Sequence, residues 1–235
     1  MISHTAIKAL CTKLQSTEAN IRREYFQHQF LRHFYYQKES DQVFFKGGTA
    51  LRIIYGSPRF FEDLDFSSSF PTFQLESLII NALQDLRREN IIADISEAKR
   101  TSGGYLAILQ LDHTPIQLEI SSRSSIKAVG EPVTIVSDYC PPYTLIILSS
   151  NLLVAEKLAA LQTRGKARDF YDFYFLLRAN VTPAKDKKIV FQIKTALEKT
   201  DVNFERELKN FLPHSHWPII KSFRTTLLAE LSRYA

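Results

Sequence analysis

Two aspartates separated by one leucine, Asp63-Leu64-Asp65, follow closely on a diglycine, Gly47-Gly48, inside the stretch FFKGGTALRIIYGSPRFFEDLDFSS. On a strand, residues i and i+2 share a face, so Asp63 and Asp65 would present parallel carboxylates while Leu64 and Phe66 point into a core. Two acids held that close repel, and they favour a shared proton or a divalent cation. Mg²⁺ suits such an open pair, because it accepts a few carboxylates and completes its shell with water and phosphate oxygens. Gly47-Gly48 permits a tight strand-to-helix turn with close backbone approach of a ligand. Thr49 adds a hydroxyl, and unpaired N–H groups at the helix start favour phosphate. Metal and phosphate chemistry together suit a nucleoside triphosphate. The bland alternative is a solvated strand end in which Arg52 or Arg59 neutralises the acids, after an ordinary glycine turn.

These residues need a strand, a turn, a helix and a second strand, and the surrounding pattern supplies them. QVFF is a short apolar run suited to a buried strand, and TALRIIYG reads as a helix ending near Gly56. Upstream, Ile7, Leu10 and Leu14, then Ile21, Tyr25, Phe26, Phe30 and Phe34, recur at helical steps, with Ser16 or Thr17 as the cap of the second helix. Downstream, FPTFQLESLIINALQDLRREN is an amphipathic helix entered at a proline. IIADISEAK, GYLAILQL, PIQLEIS and EPVTIVSD have strand character, with TSGG and DHTP as hairpin turns. The prolines of CPPY suggest a boundary near Cys140, and TLIILSSNLLVAEKLAALQTR and everything after it read as helical. The expected fold is α+β: a mixed β-sheet with flanking helices over residues 1–140, followed by a helical domain over 141–235 that completes the cleft.

The 235 residues are 45% hydrophobic and 23% charged, which excludes disordered, fibrous and disulfide-rich classes. The net charge of +5 would help a polyanion approach without requiring one. Cys11 and Cys140 lack CxxC spacing, so neither a zinc site nor a disulfide framework is indicated. His28 and His33 are five apart and do not align on one helix face as metal ligands. Neither a secretory signal nor an uninterrupted apolar span is present, so the expected location is the cytoplasm.

The run Lys46-Gly47-Gly48-Thr49-Ala50-Leu51, Arg59 and Glu62-Asp63-Leu64-Asp65-Phe66 resembles the first motif of DNA-polymerase-β-type nucleotidyltransferases, specifically the AbiEii-type toxins of bacterial toxin–antitoxin systems. The separation of glycines and aspartates is longer than in minimal nucleotidyltransferases but fits that branch. A second match is EKLAALQTRGKARDFYDFYFLL, where Lys157 precedes the Arg168-Asp169-Phe170-Tyr171-Asp172 helix. The two matches reach from about Phe45 to Leu177. Residues outside that span are matched only in general shape.

The resemblance implies an Mg²⁺-dependent (Mn²⁺ being the substitute) transfer of a nucleoside monophosphate from an NTP to an acceptor. That acceptor would be RNA, with tRNA expected, and a winged-helix antitoxin would be the cognate partner. Asp63 and Asp65 would hold the metals with a third carboxylate. For this, Glu119 of PIQLEIS competes with Asp112, which reads as a turn residue. Lys157 would reach the triphosphate; its ordinary role would be a surface lysine or a partner for Glu156 or Asp169. Asp169 would orient Lys157 or Arg168 at the site, with Asp172 in support. Arg168 and Asp172 also form an i,i+4 pair that any helix tolerates. Lys46 and Arg59 could contact phosphates or act as local counter-ions. The aromatics of REYFQHQFLRHFYYQK fit a core better than base stacking, and Lys185, Lys187, Lys188 and Lys194 form either a solvated face or a phosphodiester-binding edge. Two alternatives remain: the same chemistry on a protein side chain or small molecule, or a nucleotide- or RNA-binding module without catalysis.

Overall fold

The computed structural model describes residues 2–122 and 129–234. The chain forms two compact units, one of Met1–Gly56 and Phe60–Ser149, the other of Ser57–Arg59 and Ser150–Ala235.

The first unit is built on a seven-stranded mixed sheet. Its strands are β1 (Val43–Lys46), β2 (Asp63–Ser68), β3 (Ala93–Thr101), β4 (Gly104–Leu111), β5 (Thr114–Ser122), β6 (Gly130–Ile135) and β7 (Tyr143–Leu148), in the order β3-β4-β5-β2-β1-β7-β6. The β2–β5 and β1–β7 pairs are parallel and the other four antiparallel. Its helices are α1 (His4–Leu14), α2 (Glu18–Tyr35), α3 (Gly47–Tyr55) and α4 (Thr72–Arg88).

Helix α2 begins at Thr17, whose hydroxyl accepts from the Asn20 N–H at 3.3 Å, satisfying one of the donors that a helix start leaves open. Its Tyr25, Phe26, Phe30 and Phe34 are buried, and the Phe34 and Phe45 rings each lie within 5.5 Å of Phe66. These aromatics are therefore core, as their spacing suggests. Each such ring contributes about 2–3 kcal/mol by leaving water. The opposite signal, alternation, governs β5: Ile116, Leu118 and Ile120 are buried, while Gln117 and Glu119 are exposed.

One expectation fails. TLIIL is not the start of a helix but strand β7, paired with β1 and β6, and helix α5 (Ser150–Arg164) begins only after it. A short apolar run carries no period that separates a buried strand from a buried helix. The break between units accordingly falls after Ser149 instead of Cys140.

The second unit is helical: α5, α6 (Ala167–Arg178), α7 (Lys187–Lys199), α8 (Phe204–Leu208), α9 (Trp217–Lys221) and α10 (Phe223–Leu231). Leu153, Val154 and Leu161 of α5, Phe170, Phe173 and Leu177 of α6, and Val190, Ile193 and Leu197 of α7 are buried. An aromatic cluster of Phe170, Tyr171, Phe204 and Phe223 ties α6, α8 and α10 together.

Candidate active site

Strand register does the positioning on the sheet. Asp63 and Asp65 alternate with Leu64 and Phe66, which are fully buried. Along the parallel β2–β5 ladder Asp63 is level with Gln117 and Asp65 with Glu119. Laterally paired residues share a face, so Glu119 stands beside the aspartates. The antiparallel β1–β2 ladder sets Lys46 level with Asp65 from the other side. Lys46 is buried to 7% exposure, and its ammonium donates to Ser121 Oγ at 3.4 Å. Asp112 lies instead in the two-residue β4–β5 turn, where it and His113 have φ of 44° and 66°. Of the two acids weighed, only Glu119 is aligned with Asp65.

The β1–α3 turn is closed by two glycines with different tasks. Gly47 has φ of 78°, and a Cβ placed there would sit 1.9 Å from Asp65 Oδ2, so both the backbone and the space for the carboxylate exclude a side chain. A Cβ on Gly48 would sit 1.8 Å from the Phe61 ring. Gly48 therefore serves packing, while Gly47 lets the helix start lie against Asp65. Thr49 is also structural in part: its hydroxyl donates to the Asp63 backbone carbonyl, tying α3 to the start of β2.

Unsignalled by any motif, a part-buried network joins Glu24, Arg52 and Tyr139. Glu24 of α2 accepts from Arg52 Nε at 2.6 Å and Arg52 Nη2 at 2.9 Å, and from the Tyr139 hydroxyl at 3.0 Å. The Arg52 guanidinium stacks over Phe60. Arg52 thus has its carboxylate on α2. His28 Nδ1 bonds the Tyr143 hydroxyl at 2.9 Å, and burial, then the Arg52 charge, lower its pKa to about 3. His28 is a neutral core histidine.

The second unit holds the other matched residues. Lys157 on α5 and Asp172 on α6 are both buried, and Lys157 Nζ donates to Asp172 Oδ2 at 2.7 Å. Arg59 donates to Asp172 Oδ1 from Nε at 3.1 Å and from Nη2 at 3.0 Å. Burial raises the Asp172 pKa, but the Arg59 and Lys157 charges and hydrogen bonds outweigh it and leave the value below its ordinary 3.8. Asp172 thereby fixes both bases.

Asp169 has another task. It is the third residue of α6 and accepts from the Lys166 backbone N–H at 3.1 Å and from Arg164 Nη2 at 2.7 Å. It caps the helix after the turn at Gly165, whose φ is 53°. The contacts seen for Asp169 are thus with the helix start and Arg164, the acid bonded to Lys157 is Asp172, and Arg168 is exposed. Arg164, the missed partner, precedes Asp169 by five residues across the helix break, a spacing that helical pair rules do not cover.

Among the described residues no three His, Cys, Asp or Glu side chains converge to cage an ion. Asp63, Asp65 and Glu119 form a row on one face of the adjacent strands β2 and β5, with Glu119 exposed, and so small a set of carboxylates fits a cation that completes its shell with water and substrate oxygens. Oxygen donors without sulfur suit a hard divalent cation.

The fold is that of solved nucleotidyltransferase toxins. MenT4, a nucleotidyltransferase toxin from Mycobacterium tuberculosis, superposes with a TM-score of 0.68 at 15% identity, covering 100% of this chain and 93% of that one. JHP933 from Helicobacter pylori superposes with a TM-score of 0.63 at 20% identity, covering 93% of each chain. A search of curated protein sequences gave no match. Residues 29–232 match the family model described as the nucleotidyl transferase AbiEii toxin of a type IV toxin–antitoxin system, and the chain belongs to that family. It is a nucleotidyltransferase, and its family implies an NTP substrate, a divalent metal and an antitoxin partner. Among the described residues no helix is long and apolar enough to cross a membrane.

Proposed function

We propose that this toxin transfers a nucleoside monophosphate from an NTP to the end of an RNA, expected to be tRNA, in the cytoplasm, releasing pyrophosphate as the acceptor oxygen displaces it from the α-phosphorus, and so blocks translation until a winged-helix antitoxin counteracts it. The observation that carries this reading is the register of Asp65 with Glu119 beside the Gly47 turn. It supports a place where carboxylates and backbone N–H groups meet the same triphosphate.

In this reading the sheet unit is the catalytic domain. Asp63, Asp65 and Glu119 hold Mg²⁺, with Mn²⁺ as a substitute. When bound, the metal neutralises phosphate charge and activates the acceptor hydroxyl. Gly47, Gly48 and Thr49 present the start of α3 to phosphate, Thr49 through its backbone because its hydroxyl is engaged. Lys46 and Arg59 add positive charge, and Lys157, steadied by Asp172, supplies the point charge for triphosphate oxygens. Arg168, exposed on α6, is assigned to an outer phosphate. Asp169 supports the helix that carries Asp172.

The test is incubation of the protein with each α-labelled NTP, Mg²⁺ and either RNA or protein extract. Label in tRNA is the expected result. Label in protein would move the acceptor to a side chain, and no transfer with any NTP would leave a binding module.

A further inference from the structure

The outer face of α7 combines positive charge with an aromatic ring that has no packing role. Val190, Ile193 and Leu197 fill the core of the helical unit, whereas Lys187, Lys188, Phe191 and Lys194 face outward. Phe191 is 69% exposed, and it is the one large apolar side chain among the described residues of that unit left mostly in solvent. Lys187, Phe191 and Lys194 stand at i, i+4 and i+7, a single stripe spanning roughly 10 Å. None of the three lysines makes an ion pair among the described residues. The nearest acid in sequence, Asp186, is engaged at the helix start, where it accepts from the Lys188 and Ile189 N–H groups. Glu198 follows one turn after Lys194.

We infer that this face docks the acceptor RNA: the lysines contact successive phosphates, and a base stacks on Phe191. The inference rests on the nucleotidyltransferase reading and names where its acceptor is held. A single-stranded nucleic-acid site needs backbone-tracking charge and a ring for stacking, and here both lie on one stripe. An anionic membrane is the poorer fit, because a helix lying in a bilayer surface needs a broad apolar face, and the apolar face of α7 is already buried.

The test measures binding of end-labelled bulk bacterial tRNA to the full chain across a salt series, without NTP. Charge reversal of Lys187, Lys188 and Lys194 to Glu should weaken binding at least tenfold and flatten the slope of log affinity against log salt by about 2. Phe191→Ala should weaken binding about fivefold or more with the slope unchanged, and the three-lysine-to-arginine variant should bind as the wild type does. Equal tRNA affinity in all variants would overturn the inference. So would wild-type protein that does not bind tRNA, or losses confined to binding of phosphatidylglycerol vesicles. Unaltered melting temperatures verify folding. NTP-dependent label transfer, measured separately, judges the nucleotidyltransferase reading, since none of the substituted residues belongs to the proposed metal or triphosphate site.

Discussion

On the sheet, Asp63, Asp65 and Glu119 owe their places to backbone register; in the helical unit, Asp172 owes its place to the side chains it binds. The first arrangement is rigid even if a carboxylate is removed, because the ladder hydrogen bonds remain. The second loses its organising charge when Asp172 is lost, leaving Arg59 and Lys157 buried without it. The sheet acids should thus matter for chemistry and little for stability, and the helical acid chiefly for stability.

The largest effect that could break this contrast is catalytic. Asp65→Ala should lower transfer at least 10³-fold, an order typical of removing a charge that acts in the transition state, while the melting temperature stays within a few degrees. Retained activity would remove the metal assignment. Next comes Asp172→Ala, expected to cost about 3–5 kcal/mol in denaturant unfolding, as for other broken buried ion pairs. A cost below about 1 kcal/mol would show that the pair is not needed for folding. Gly47→Ala sharpens the comparison from the sheet side: its positive φ and the close Asp65 carboxylate should cost about 1–3 kcal/mol and displace the acid, lowering activity as well. Gly56, also at positive φ but in open space, should lose stability to alanine through backbone strain alone and keep its activity.

The smallest effect separates the units by pH. His28 has its folded pKa depressed to about 3, so between there and its unfolded value near 6.5 the unfolded chain takes up a proton that the native protein refuses. Stability contributed by the neutral imidazole is complete above pH 6.5 and declines by about 1.4 kcal/mol per pH unit below it. Asp172, with its pKa depressed, retains its contribution down to its unfolded value of 3.8 and loses it only as pH falls further through the folded pKa. Unfolding at pH 7 and pH 5 should thus show a slope that His28→Gln removes and an Asp172 variant retains.

How much of this could be read from residues alone follows the same division. Locally determined features were legible: the i, i+2 aspartates and the alternation that turns Glu119 outward and Ile116, Leu118 and Ile120 inward follow from strand periodicity, and the glycine at position 47 follows from the tight turn it must make. The parallel β2–β5 pairing that brings Glu119 level with Asp65 was not, because it depends on which strands become neighbours. Side-chain pairings were largely illegible. Arg59 meets Asp172 across 113 positions of chain, and nothing local distinguishes Asp172 from Asp169, which shares its aromatic surroundings but serves as a helix cap. Strand β7 was hidden because its less buried face carries apolar Ile146, so that Thr144 alone marks an alternation.

The central claim is that the Asp63, Asp65 and Glu119 row holds the metal that the transferred nucleotide needs. Its most direct test is calorimetric titration of Mn²⁺ into the full-length protein saturated with a non-hydrolysable NTP, with the nucleotide–metal background subtracted. The account predicts a protein-dependent binding step that is lost in Asp63→Asn/Asp65→Asn and weakened about tenfold or more in Glu119→Gln. An unchanged titration in the doubly substituted protein would contradict it.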